Sequence, residues 1–482
     1  MKYSKKFNIF FLGFINFFGI INTGWSQTSR PNIVLIVADD LGWKDVGFMG
    51  STYYETPNID KLASQGMLFT NGYAAAANCA PSRACLMSGQ NTPRHGIYTV
   101  GESDRGSGAF RKLIPTENNE VLPDSVFTLA EALKSSGYYT ATIGKWHLGK
   151  DPRTQGFDYN FGGNMKGSNK YFVPYENKDI IDGPEGEYLT DRLTDEALKV
   201  LDEHKNKPFF LYLPYYAVHT PLQAQKQVIE KYEQKAKGKG QANATYAAMI
   251  ESLDMNIGRL LRKLDDLRLT DNTIVIFTSD NGGIRSISQQ DPLRAGKGSY
   301  YEGGIRVPLA VRWPGKIATG STNNTPVTNM DFYPTFLDIA GIKKGNRLLD
   351  GESILPLLTG KKIPDRPLFW HFPIYLQAYD PKMDDGRDPF FRTRPGSVIR
   401  SGDWKLHEYF EDGTLELYNL KDDLGERKNI AVQNPAVTKK LHEMMIAWRK
   451  KTNAPVPTQA NPDYDPNAKP IERKHKKGET GN

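Results

Sequence analysis

Seven consecutive residues near the start of the chain, Asn32-Ile33-Val34-Leu35-Ile36-Val37-Ala38, are almost all apolar and rich in β-branched side chains. They do not alternate with polar positions, so both faces of such a strand must be covered, as in the middle of a parallel sheet. Residues 138–143, 208–213 and 273–278 share this texture. Between these runs the spacing of apolar positions is helical, over 58–66, 82–87 and 126–136, and over a long amphipathic stretch at 246–264. Strands alternating with helices predict an α/β fold, a large, mostly parallel sheet with helices on both faces. The first strand runs into Asp39-Asp40, and the one at 273–278 runs into Ser279-Asp280-Asn281-Gly282-Gly283. The C-terminal ends of strands in such a sheet are where ligands bind.

Beyond about residue 360 the pattern shortens. Residues 367–372, 397–400, 404–410 and 416–419 are brief strand-like runs separated by turn residues, followed by a helical pattern at 435–451. They predict a small antiparallel sheet-plus-helix subdomain at 361–455. The last stretch, 456–482, is rich in Pro, Asn, Asp and Lys and reads as an extended or disordered tail. At the other end, Lys2, Lys5 and Lys6 precede a mostly apolar run over 7–21, and small residues follow at Gly24 and Ser26. That is the form of a signal peptide, residues 1–26, which leaves 27–360 as the main domain and implies export to the periplasm or beyond. The apolar run is shorter than the ~20 residues that span a bilayer, and no later segment is longer, so no transmembrane segment is expected. The formal charge of +7 owes much to Arg473, Lys474, Lys476 and Lys477 near the C-terminus. The remainder is close to balanced and does not point to nucleic acid, though a locally basic pocket for an anionic substrate fits.

Only two cysteines are present, and both fall in Cys79-Ala80-Pro81-Ser82-Arg83-Ala84-Cys85-Leu86-Met87-Ser88-Gly89. Pro81 suits a first helical turn, which places Cys79 just before a helix N-terminus, where free backbone N–H groups favour an anion. Arg83, four residues on, shares that face. Six residues apart about one helical turn, the cysteines are poorly placed to bridge each other. Asp39, Asp40, Asp280 and Asn281 are hard oxygen donors, which suit calcium or magnesium better than zinc.

The order Cys-x-Pro-Ser-Arg followed by Ser-Gly resembles the signature of type I sulfatases, in the alkaline phosphatase-like superfamily. Gly144-Lys145-Trp146-His147-Leu148-Gly149 resembles a second motif of that family letter for letter. His219 in Ala217-Val218-His219-Thr220-Pro221 and Lys297 in Gly296-Lys297-Gly298 stand where the family has a histidine and a lysine that hold sulfate. The resemblance implies that Cys79 is oxidised after translation to formylglycine (3-oxoalanine) by a formylglycine-generating or anaerobic sulfatase-maturing enzyme. It implies a Ca2+ ion held by Asp39, Asp40, Asp280, Asn281 and the modified Cys79. By the same resemblance Lys145 contacts the formylglycine and the sulfate oxygens, Lys297 grips the sulfate, Asp280 helps deprotonate the nucleophile, His219 with Lys297 protonates the leaving oxygen and His147 acts as a base on the remaining hydroxyl. Arg83 adds a further positive centre around the sulfonate oxygens.

The expected substrate is a sulfated glycan or oligosaccharide of the ulvan, carrageenan-type galactan or glycosaminoglycan class. His371, Arg392 and Arg394 are candidates for contacts with the sugar or a second sulfate on a pocket rim, with Asn164-Met165-Lys166 and Arg105 as further candidates. The alternatives are a formylglycine-dependent phosphonate or phosphodiester hydrolase and a non-catalytic glycan-binding relative. A two-zinc phosphatase requires more histidines than these loops offer.

Overall fold

The computed structural model describes residues 1–4 and 30–469. The signal segment expected at 1–26 lies, beyond its first four residues, outside the described residues, and so do residues 470–482 of the tail. No helix among the described residues is long and apolar enough to cross a membrane.

Eight strands form the main sheet in the order Tyr159–Phe161, Tyr139–Ile143, Phe209–Pro214, Asn32–Ala38, Thr273–Ser279, Leu309–Arg312, Met67–Phe69, Ser321–Asn323. The Asn32–Ala38 strand is central and parallel to both neighbours, with Val34 opposite Leu211 on one side and Val275 on the other. The sheet is mostly parallel; Leu309–Arg312 runs against the strands on either side of it.

The unbroken apolar runs are explained by what covers them. Val34, Ile36 and Ala38 pack into a core that includes Leu193, Leu201, Leu253 and Leu260 of the helices Leu189–His204 and Ala244–Asp266. Ile33, Leu35 and Val37 point to the other face, against Ala84 and Leu86 of Cys79–Ser88, Leu133 of Leu129–Lys134 and Phe336 of Phe332–Ile339. Each residue of the central strand is therefore buried, and the strand can shift neither register nor face without exposing apolar surface.

The second sheet is four-stranded and antiparallel, in the order Leu368–Phe372, Gly396–Ser401, Trp404–Tyr409, Leu415–Asn419. One face, through Ile399, Leu406 and Leu417, packs on Leu441 and Met445 of the helix Pro435–Thr452. The opposite face presents Trp370, Phe372 and Val398 to Tyr73, Tyr300 and Ile305 of the main domain. The small sheet thus seals one flank of the main domain beside the loop that carries Lys297. Past the last helix the chain is extended and tied back to the main domain: Ile114 N–H donates to Gln459 O and Asn461 N–H to Lys112 O, each at 2.9 Å.

Candidate active site

Two adjacent parallel strands deliver the acidic residues. Asp39 and Asp40 follow Asn32–Ala38, and Asp280 and Asn281 follow Thr273–Ser279, so all four gather at the C-terminal edge of the sheet. Asp40 adopts a left-handed backbone conformation (φ 62°) and its N–H donates to Asp280 Oδ1 at 3.1 Å. The helix beneath starts at Cys79 itself, one position earlier than its sequence pattern suggests, with Asn78 in extended conformation as the N-cap. Pro81 falls in the first turn, where its missing N–H leaves no helical bond unmade. All ten residues of that helix are buried. Cys79 Sγ lies 3.4 Å from Asp39 Oδ1 and 3.7 Å from Asp40 Oδ1.

Three cations enclose these groups. Arg83 donates Nε to Asp280 Oδ2 at 3.0 Å and Nη1 to the Lys145 carbonyl at 2.9 Å. Lys145 Nζ reaches Asp39 Oδ2 at 2.7 Å, and Lys297 Nζ reaches Asp40 Oδ2 at 2.6 Å. Each of the three is at most 6 % exposed. Lys145 is carried into place by Gly144, whose φ of 118° and contact with the Pro214 carbonyl leave no room for a Cβ. Lys145 N–H in turn donates to Pro214 O at 2.7 Å. His147, also left-handed at φ 65°, is fixed by its N–H to the Asn164 carbonyl, and its Nδ1 is buried without a partner. His219 Nδ1 lies 2.5 Å from Thr220 O, and its Nε2 is 3.5 Å from Asp40 Oδ2. Its side chain is 27 % exposed, which makes it the member of the group that faces the entrance.

The packing of charge divides the titrations. Burial pushes Asp280 up to about 6, with Arg83 opposing and Asp39 and Asp40 adding to the rise. Burial also acts on Asp40, but Lys297, His219 and Lys145 outweigh it and hold this carboxyl well below its usual range. Burial, more than the opposing Lys145 and Lys297 charges, pushes the Cys79 thiol far up, so the thiol is protonated and a poor nucleophile as it stands. Burial, then Lys145 and Arg83, drives His147 far below its ordinary value. Burial and Lys297 push His219 down to about 3. Both imidazoles are neutral at pH 7.

Asp39, Asp40, Cys79 and His219 present ligand atoms within 4.8 Å of one another. Asp280, expected from the sequence to share this set, lies beside it with Oδ2 on Arg83 and Oδ1 accepting the Asp40 amide, and Oδ1 keeps a second lone pair for a cation. Asn281 stays beside the group: its Nδ2 donates to Asp40 Oδ1 at 2.8 Å, while its Oδ1 is buried without a hydrogen-bond partner. An orphaned, buried carbonyl oxygen among carboxylates is what a hard cation satisfies. Asp39, Asp40 and Asp280 are balanced by Arg83, Lys145 and Lys297, so an added divalent cation makes the pocket net positive.

Residues 31–342 match the sulfatase family, and residues 296–451 match the C-terminal region of N-sulphoglucosamine sulphohydrolase. The chain belongs to the sulfatase family. It is a sulfuric ester hydrolase. It is 35 % identical to a sulfatase of Formosa agariphila, covering 94 % of this chain and 95 % of that one. It is 35 % identical to the human N-acetylgalactosamine-6-sulfatase over 71 % of this chain and 68 % of that one. Among solved structures, Ps i-CgsB in complex with k-i-k-neocarrahexaose superposes with a TM-score of 0.72 at 33 % identity, covering 87 % of this chain and 93 % of that one.

The rim expected for this sulfatase needs correction. His371 is 1 % exposed, lies in the Leu368–Phe372 strand and bonds Ser397 Oγ and Pro455 O, each at 2.8 Å. It is a core histidine, with both ring nitrogens in use, and cannot contact a substrate. Arg394 is held by Asp388 and Glu411 and is likewise committed to the fold. Lys166 is exposed, and Asn164 serves through its backbone as the support of His147. Arg392 does reach the site: its Nη1 donates to the Lys297 carbonyl at 3.0 Å. Tyr379, which has no motif around it, lies against Arg392 at the same edge, its ring centroid 3.3 Å from the guanidinium carbon.

Proposed function

We propose that this sulfatase removes sulfate from a sulfated glycan or oligosaccharide of the ulvan, carrageenan-type galactan or glycosaminoglycan class, with Cys79 matured to formylglycine and Ca2+ as its metal. The observation that carries the reading is the position of the Cys79 side chain, buried at a helix start and ringed by Asp39, Asp40, Arg83, Lys145 and Lys297. A protonated, buried thiol has no evident use there, whereas an oxidised side chain has. Asp39, Asp40, Asp280 and Asn281 would hold the metal, with the residue at 79 as a further ligand.

The hydrated aldehyde supplies the attacking oxygen and a second hydroxyl through which sulfate leaves, and the metal supplies positive charge for the nucleophile and the sulfonate oxygens. The residues of the chain do the rest. Lys145, Lys297 and Arg83 are fixed before substrate arrives, so they stabilise charge on the transferring group without reorganisation. Asp280, whose Oδ1 also accepts the Asp40 amide, takes the proton of the attacking hydroxyl. His219 stands at the open side and donates to the departing sugar oxygen. Its basicity is suppressed first by burial and then by Lys297, and a bound sulfate anion offsets the Lys297 charge. His147, neutral and with Nδ1 free, takes the proton of the second hydroxyl. The Ps i-CgsB complex and the N-acetylgalactosamine-6-sulfatases support a carbohydrate substrate, and the N-terminal sequence pattern supports export.

The test has two measurements. Mass spectrometry of the Cys79 peptide, from protein made with a maturation enzyme, should give the formylglycine mass. A panel of sulfated oligosaccharides should then yield free sulfate. An unmodified thiol in fully active protein, or activity on aryl sulfates with no sulfated sugar accepted, would overturn the reading.

A further inference from the structure

Arg105 and Arg392 come from distant parts of the chain and meet beside the catalytic group. Two short pairings bring them together. Tyr375 N–H donates to Ser103 O at 2.8 Å, which sets residues 103–106 along one side of the segment 375–377. The strand Phe391–Thr393 pairs with Leu376–Gln377. A Cβ on Gly106 would strike Phe391 and Gln377, so the two arginine-bearing segments are in direct contact.

Both guanidiniums are anchored on the active site through neutral groups. Arg105 Nη2 donates to Thr99 Oγ1 at 3.0 Å, and Thr99 Oγ1 also accepts from Nδ2 of Asn78, the cap of the Cys79 helix. The buried Arg105 Nε has no hydrogen-bond partner. Arg392, 7 % exposed, donates Nε to Gln377 O and Nη1 to Lys297 O. Neither arginine forms an ion pair among the described residues. Asp384 lines the same small cleft as Lys297, Tyr379 and Arg392 and feels the Arg392 charge, but its carboxylate is turned to the Tyr379 N–H at 2.6 Å and makes no ion pair with Arg392. Arg394, by contrast, is paired twice. Burial and the adjacent Arg392 charge hold Arg105 below its ordinary value. Two like charges kept close and mostly out of water, with no acid in ion-pair contact with either, are costly unless an anion joins them. The planar forks of arginine suit sulfate or carboxylate oxygens.

We infer that Arg105 and Arg392 form a second anion subsite, which takes a sulfate or carboxylate carried by the substrate sugar next to the ester being cleaved. Tyr379, 48 % exposed and backed by Arg392, gives the sugar ring an aromatic surface beside it. The assignment rests on the proposed sulfated-glycan reading and names what such a glycan must carry: at least two anionic groups in close proximity.

The measurement is a ratio. Matched disaccharides would be compared that share the cleaved sulfate and differ only in a neighbouring hydroxyl, sulfate or carboxylate. For the intact enzyme, kcat/KM should favour a second-anion sugar by about tenfold to a hundredfold over the single-sulfate sugar. Arg105→Ala should collapse that preference mainly through KM, and Arg105→Lys should restore part of it. Calorimetry on the Cys79→Ala protein, which cannot turn over, keeps the question independent of how the arginine variants fold. There a second-anion sugar should bind at least about tenfold more tightly than its single-sulfate partner. A preference for the sulfate arm or for the carboxylate arm identifies the anion, and either supports the subsite. Equal binding and equal kcat/KM across all three sugars would overturn it while leaving the glycan sulfatase reading intact. Release of sulfate from none of them, but from aryl sulfates, would defeat both.

Discussion

Replacing Lys405 by methionine tests how firmly the small sheet holds the Lys297 loop. Lys405 sits in the Trp404–Tyr409 strand with no solvent exposure, and its Nζ lies 2.9 Å from Glu302 Oε1 and 3.0 Å from Glu426 Oε1, both also fully buried. Glu302 follows Lys297 by five residues and opens the short helix Glu302–Ile305, and its N–H donates to Glu426 Oε2 at 2.5 Å. Lys405→Met leaves Glu302 with Arg306 and Glu426 with His407, so two buried carboxylates lose the ammonium they share. No water reaches the group to screen the loss, and breaking such a pair costs about 3–5 kcal/mol. The double variant Lys405→Met/Glu426→Gln removes one charge of each sign and keeps an amide oxygen for the Glu302 N–H, while its NH2 group faces His407 Nε2, which accepts in the Nδ1–H tautomer. It should recover roughly 1–3 kcal/mol of the loss, the coupling typical of direct neighbours. Equilibrium urea unfolding followed by intrinsic fluorescence, with reversibility checked, measures both. Turnover at saturating substrate measures whether the Lys297 loop shifts before the fold is lost. A single variant destabilised by less than about 1 kcal/mol, or a double variant no better than the single, would refute the claim that charge burial dominates here.

Four further outcomes are expected. Asp39→Ala or Asp40→Ala should lower kcat at least roughly a hundredfold, since each removes preorganised charge next to the Cys79 side chain. Chelator-treated enzyme should recover with calcium better than with zinc, and full activity without metal would contradict the metal assignment. His219→Ala should reduce kcat/KM for a sugar sulfate by roughly 10²–10⁴-fold and much less for an aryl sulfate, whose leaving group needs little protonation; equal losses would remove His219 from the acid role. His371, held at about 3 by burial against an ordinary 6.5, binds its proton less readily in the folded state. Its contribution is intact above pH 6.5 and is lost as pH falls from there toward 3. His371→Gln should therefore lose less stability across that window than the parent, measured by unfolding at matched pH values.

Much of this enzyme was legible without coordinates. The strand Asn32–Ala38 declares itself central because it is apolar at every position, and only a sheet covered on both faces can bury it so. The proposed catalytic cluster was readable as a group because its placement is local: Cys79 and Arg83 share one helical turn, and Asp39-Asp40 and Asp280-Asn281 each terminate a strand. The helix Leu189–His204 was also within reach, since Leu189, Leu193, Ala197, Val200 and Leu201 recur at helical spacing. The three-residue strands Met67–Phe69 and Ser321–Asn323 were not, because they are too short to show any period and are ordered by their neighbours. The same holds for the reversed direction of Leu309–Arg312.

What surrounds the core was decided by tertiary structure alone. His371, Arg392 and Arg394 lie within 24 residues of one another and have similar polarity, yet one is locked in the core, one reaches the Lys297 loop and one is neutralised by two acids. Nothing in their local pattern separates them, because each fate depends on a partner contributed from elsewhere: Pro455, Lys297 or Glu411. Arg105 gains its place from a backbone pairing with Tyr375, some 270 residues away in sequence. Local periodicity determines which face of an element is buried, and short motifs carry chemistry that needs only one turn or one strand end. The direction of a long side chain on a loop depends on whichever segments pack around it, and that became readable only in the folded chain.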